Sequence, residues 1–158
     1  MLGRLARWLR LLGFDTVTGI LEDDEILRVA TREDRILLTR DRELFDSACR
    51  IGNRSYYIQS PHIDAQMLGL FNELGMHNLE LDPDKSRCAR CNGTTEKVDA
   101  EQIRGEVPPR VQEYHQDFWT CTKCGKIYWM GRHWENIEKE INDLNQKLCK
   151  ESDNDGAQ

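Results

Sequence analysis

Cys88-Ala-Arg-Cys91 and Cys121-Thr-Lys-Cys124 form two paired knuckles in a chain of 158 residues whose remaining cysteines, Cys49 and Cys149, stand alone. Two intervening residues allow a turn that brings the second thiolate back to the side of the first. Two such turns supply the four ligands of a closed, tetrahedral, structural zinc site. The competing readings fit less well: disulfides need an oxidising compartment, and a thioredoxin-type redox pair usually occurs once, near the start of a βαβ unit. Because 29 residues separate Cys91 from Cys121, a loop inserted into the metal module is expected over 94–113, around Pro108-Pro109. The module should fold around its ion, with its thiolates deprotonated on binding.

The residues beside the second knuckle extend the module. Phe118-Trp119-Thr120 leads in and Lys126-Ile127-Tyr128-Trp129 leads out, so the knuckle reads as the turn of an antiparallel hairpin, with Gly125 available for a left-handed position. Trp119, Tyr128, Trp129 and Trp134 have two readings. They cover the hairpin or dock it on the rest of the protein, or they stack on unpaired bases beside Lys123, Lys126 and Arg132. His133 and the weaker candidate His115 read as hydrogen-bonding residues, since four thiolates already fill a tetrahedral site. Trp134, Ile137, Ile141, Leu144 and Leu148 recur every three to four residues, which predicts an amphipathic helix over 134–150 packed on its own protein. Residues 151–158 read as a disordered acidic tail. The metal module therefore spans 82–133.

Ahead of it, the polar stretch Asp82-Pro83-Asp84-Lys85-Ser86-Arg87 marks a boundary, which makes 1–81 one unit. Leu2, Leu5, Ala6, Leu9 and Leu12 share a helical face, with Arg4, Arg7 and Arg10 roughly opposite and Gly13 as terminator. Asp23-Asp24-Glu25 suits a helix N-terminus, with Ile26, Leu27, Val29 and Ala30 as its buried side. Arg35-Ile36-Leu37-Leu38-Thr39 is a continuous apolar run of the kind that forms a strand covered on both faces of a parallel sheet. With the short piece Thr16-Val17-Thr18-Gly19-Ile20 after the first helix, a helix over about 42–50, a strand around Ser55-Tyr56-Tyr57-Ile58-Gln59 and a helix around 62–75 complete an αβαβαβα order, which implies an α/β layered domain with right-handed crossovers. No signal peptide or membrane span is apparent, because Arg4, Arg7 and Arg10 interrupt the N-terminal apolar stretch, and a cytoplasmic location is expected. A net charge of −6 argues against general coating of nucleic acid, although clustered cations can overrule the total. Residues 1–80 carry ten Arg and no Lys against thirteen Asp and Glu, so every cation there can make two-pronged contacts to phosphate or carboxylate.

In such a fold the chemistry lies outside the carboxyl ends of the strands. Asp41 follows the strand there, with the Thr39 hydroxyl and the guanidinium groups of Arg40 and Arg42 nearby. Asp23 shares a helix face with Ile26 and Ala30, and Asp24 is its neighbour. Such carboxylates can hold Mg²⁺ or Mn²⁺ for attack of water on a phosphodiester. They read equally well as helix caps. Arg40 and Arg42, and the stripe of Arg4, Arg7 and Arg10, are candidate RNA phosphate contacts, with a solvated helix face as the plain alternative for the stripe.

The stretch Leu2-Gly3-Arg4-Leu5-Ala6-Arg7-Trp8, the run Leu37-Leu38-Thr39-Arg40-Asp41-Arg42, both knuckles and the segment Tyr128-Trp129-Met130-Gly131-Arg132-His133-Trp134 occur in the order found in the Mut-7 C-terminal ribonuclease-domain family. The chain resembles that family over nearly its whole length. The resemblance implies a PIN-like α/β sandwich with a zinc ribbon, metal-dependent endoribonuclease activity on RNA, and an acidic cluster that includes Asp41 with Asp23 or Asp24. Family members ordinarily carry a short apolar strand ending in aspartate ahead of the Leu-Gly-Arg-Leu-Ala-Arg helix, whereas Met1 here stands on that helix. The expectation is a reduced acidic site, an exposed sheet edge open to self-association, and a reading frame that starts upstream of Met1. If the acidic site is vestigial, the chain is instead a non-catalytic RNA-binding or ribonucleoprotein-associated adaptor.

Overall fold

The computed structural model describes residues 2–155; Met1 and residues 156–158 lie outside it. In chain order the elements are α1 (Gly3–Leu11), α2 (Asp23–Arg32), β1 (Leu37–Thr39), α3 (Arg42–Arg50), β2 (Ser55–Tyr57), α4 (Ile63–Glu73), β3 (Thr95–Val98), α5 (Pro109–Tyr114), β4 (Phe118–Cys121), β5 (Ile127–Trp129) and α6 (Arg132–Asp155). The protein is a mixed α/β structure with two small sheets. No helix among the described residues is long and apolar enough to cross a membrane.

The first sheet is parallel, with Leu37 opposite Ser55 and Thr39 opposite Tyr57, and α3 is the crossover between its two strands. Helices cover both of its faces. Leu37 points into a small cluster with Leu44 and Ala48 of α3, against which Ile26 and Leu27 of α2 pack. Leu38 points the other way, onto the larger core built from Leu5 and Leu9 of α1, Leu70 and Phe71 of α4, and Ile141 and Leu148 of α6. That two-sided cover explains the uninterrupted apolar run of β1. The strand is shorter than expected, because Arg35 and Ile36 precede it as irregular chain, and 16–20 is irregular as well, so the unit runs ααβαβα in place of the expected αβαβαβα. Among the described residues β1 has β2 as its one strand neighbour, and along it an apolar cleft of about 460 Å³ opens between α1, α2 and α4.

The second sheet is antiparallel in the order β3-β4-β5. The hairpin of β4 and β5 pairs Phe118 with Trp129, and Gly125 takes a φ of +69° in its turn, a conformation costly for side chains with a Cβ. The segment 94–113, expected as an inserted loop, instead contributes the third strand and the start of a short helix. β3 pairs along the outer edge of β4, with Thr95 opposite Cys121, and occupies backbone groups that would otherwise be unpaired. Lys97 reaches Asp117 at 2.7 Å, and Ile103 and Val107 form a small core with Phe118.

α6 belongs energetically to the α/β unit. Ile137, Ile141, Leu144 and Leu148 enter the large core, each worth about 1.5–3 kcal/mol of apolar burial. Asn145 fixes the register: its Oδ1 accepts from the Leu79 N–H at 2.8 Å and its Nδ2 donates to the Leu79 carbonyl at 2.9 Å. The tail expected from residue 151 is helical as far as Asp155, since a nucleated helix adds one backbone hydrogen bond for each further residue. The rest of that tail, 156–158, lies outside the described residues.

Candidate functional site

The knuckles converge. The sulfur atoms of Cys88, Cys91, Cys121 and Cys124 all lie within 4.8 Å of one another, with Cys88 to Cys124 at 3.6 Å and Cys91 to Cys121 at 3.5 Å. Zinc bonded to four thiolates at about 2.3 Å sets the sulfurs about 3.8 Å apart, so the cluster fits a zinc ion. The second knuckle turns the N–H groups of Lys123 and Cys124 toward the Cys121 sulfur, each at 3.4 Å, where they stabilise thiolate charge. Burial pushes the Cys88 thiol up, but the Tyr128 hydroxyl, 3.0 Å from its sulfur, and backbone N–H groups of Cys91 and Arg90 bring it down to about 6. At Cys91 the Gly93 N–H lowers the value, yet burial and the neighbouring thiols push it up to about 12. Four sulfurs this close share protons unless a cation replaces them.

Sequence reasoning missed two residues that build this site. A Cβ on Gly93 would stand 2.9 Å from the Cys121 sulfur and 2.9 Å from the Lys123 Cβ, so only glycine lets the chain pass under the cluster. Asn92 holds a φ of +66°, which asparagine tolerates better than most residues. The Asn-Gly pair directly after Cys91 was the available signal, since that dipeptide marks a left-handed turn.

The arginine stripe divides. Arg4 and Arg7 are exposed, but Arg10 is only 6% exposed and donates to the Thr16 carbonyl at 2.8 and 2.9 Å and to the Ala89 carbonyl at 3.1 Å. It clamps α1 to the first knuckle. Ser86 adds a bond of 2.6 Å from its hydroxyl to the Leu11 carbonyl, and the Arg87 N–H reaches the Arg10 carbonyl at 2.7 Å. The aromatic residues of the ribbon also divide. Trp119 is buried, with its indole N–H 2.7 Å from an Asp84 carboxylate oxygen, while Tyr128, Trp129 and Trp134 remain half-exposed.

At the carboxyl end of β1, Asp41 caps α3: its Oδ1 accepts from the Leu44 N–H at 3.0 Å, and the Thr39 hydroxyl oxygen accepts from the Asp41 N–H at 3.0 Å. Asp23 and Asp24 are exposed in the first turn of α2, where Glu22 is the cap residue and makes no side-chain cap bond. α2 leads into β1 through 33–36, with Asp23 and Asp24 at its far, N-terminal end. These carboxylates form no three-donor group; the four cysteines are the one such group among the described residues. Arg42 pairs with Asp46 at 3.3 Å and lies over the rings of Phe45 and Tyr57. Arg40 is half-buried.

The chain thus docks a four-cysteine cluster that fits a zinc ion on a parallel α/β core. The Mut7-C RNAse domain family model matches residues 1–141, and the chain belongs to that family. No match is found among curated proteins or among solved structures.

Proposed function

We propose that the protein hydrolyses RNA phosphodiesters with a Mg²⁺ or Mn²⁺ ion held at the carboxyl end of β1, and that the zinc ribbon is structural. The observation that carries this reading is the position of Asp41. It stands exposed just past the strand end, one carboxylate oxygen caps α3, and Oδ2 has no partner among the described residues. Mg²⁺ is commonly held by one or two carboxylates, with water and substrate phosphate completing its shell, and Asp41 with Asp23 or Asp24 suits that donor set. When bound, such an ion supplies Lewis-acid activation of the phosphodiester. Thr39 fixes the strand-to-helix turn, and the N-terminus of α3 favours a phosphate beside it.

A second reading is favoured by the absence of a three-carboxylate group among the described residues: an RNA-binding adaptor that does not cleave. The zinc-loaded protein, incubated with single-stranded and structured RNA with and without Mg²⁺ or Mn²⁺, separates the two. Hydrolysis requires cleavage that depends on the ion and disappears in Asp41→Asn. Binding without cleavage under every ion condition establishes the adaptor.

A further inference from the structure

We propose that single-stranded RNA binds in the groove between α1, the ribbon and the start of α6, so that the exposed part of the arginine stripe and the ribbon's aromatic residues form one surface. The RNA class rests on the ribonuclease reading; the surface rests on its own geometry. The groove encloses about 1100 Å³, and Glu140 is the one carboxylate in its walls, in a chain of net charge −6. α1 contributes Arg4 and Arg7, the first knuckle Arg90, the hairpin Lys126, and the start of α6 Arg132.

These cations differ from several others in the chain. Arg28, Arg35, Arg42 and Arg54 are each paired with a carboxylate. Arg4, Arg7, Arg90 and Arg132 are exposed and have neither an ion pair nor a side-chain hydrogen bond among the described residues. Free guanidinium groups along one groove suit a chain of phosphates, and each one engaged releases counterions.

The rings select the single strand. All four tryptophans of the chain line this groove, and Tyr128 lies beneath Lys126, whose ammonium is 5.2 Å from its centroid. Trp119 is taken up by packing, but Trp8, Trp129 and Trp134 are half-exposed. Gly131 opens the space: a Cβ there would come within 3.0 Å of the Trp129 indole nitrogen. Aromatic faces beside cations bind unpaired bases, whose faces a duplex hides. An acidic peptide would use the cations and leave the rings without a matching partner.

The zinc-loaded full chain is titrated with a mixed-sequence 12-nucleotide RNA, its duplex and poly-glutamate, without added Mg²⁺ or Mn²⁺, with tryptophan emission as the readout. We expect saturable quenching by the single strand, at least about tenfold weaker binding of the duplex, and no quenching by poly-glutamate. Arg4→Gln with Arg7→Gln and Arg90→Gln removes three phosphate contacts, which flattens the slope of log K against log salt by about 2. Those side chains are exposed, so zinc content and melting temperature should hold. Unchanged affinity in the triple variant overturns the proposal, as does equal binding of the duplex or of poly-glutamate. Single-strand binding of this kind by a protein that cleaves nothing upholds the groove and defeats the hydrolysis reading.

Discussion

The side-chain amide of Asn92 donates to the Asp15 carboxylate across 2.6 Å, joining the residue that follows the first knuckle to the loop that follows α1. Its oxygen accepts from the Thr16 N–H at 2.9 Å, and Asp15 in turn receives Arg35 at 3.0 Å. The ribbon is therefore held to the α/β unit by directed bonds, and Arg10 supplies a second set from the end of α1.

Asn92→Ala removes one donor and one acceptor and leaves alanine at a positive φ. It should lower stability by about 1–3 kcal/mol, read as a lower melting temperature of the zinc-loaded protein.

The same contact sets an acid dependence. The Asn92 hydrogen bond, opposed by partial burial and aided by Arg35, holds the Asp15 carboxyl below its ordinary 3.8. A carboxyl depressed in the folded state contributes stability above its unfolded pKa and loses that contribution as pH falls through the folded value. Stability should thus fall below about pH 4, and Asp15→Asn should reduce the drop between pH 5 and pH 3. The group is exposed, so the effect is modest.

One zinc ion should bind per chain, and Cys121→Ser with Cys124→Ser should abolish it, as metal analysis will show. Tyr128→Phe keeps the ring but removes the donor at the Cys88 sulfur; zinc affinity should fall about 10–100-fold. Gly93→Ala should weaken the site as well, because its new methyl group meets the Cys121 sulfur.

How much of this was legible in the sequence depended on how local the cause was. The knuckles, α3 and the Asp41 cap follow from residues within a few positions of one another. β3 did not, because Thr95-Glu96-Lys97-Val98 carries weak strand character and becomes a strand only by pairing with β4, a partner distant in sequence. Arg10 falls in one sequence stripe with Arg4 and Arg7, yet positions three apart on a helix drift by about 60°. Two such steps turn Arg10 from solvent onto the first knuckle. The partners of the α6 stripe were likewise invisible, since Leu148 joins Leu5 and Phe71 in one core only once the chain has folded back.

Leu148 is fully buried in the core shared with α1 and α4. Leu148→Ala should cost about 2–5 kcal/mol and destabilise the α/β unit, although the substitution lies beyond the ribbon in sequence. Urea unfolding followed by far-ultraviolet circular dichroism measures it, and zinc stoichiometry in native buffer should be unaffected.

Asp41 carries a structural role and a proposed chemical one, and two substitutions separate them. Asp41→Asn keeps an oxygen for the Leu44 N–H, since asparagine caps about as well as aspartate, but removes the charge that a hard cation requires. Its melting temperature should be close to that of the parent, while ion-dependent RNA cleavage is lost. Asp41→Ala removes the cap as well and should cost a further 0.5–2 kcal/mol or so in stability. Mg²⁺ or Mn²⁺ should raise the melting temperature of the parent but not of Asp41→Asn, because a ligand bound only by the folded state stabilises it. Full cleavage by Asp41→Asn would remove Asp41 from the chemistry and leave it as the cap of α3.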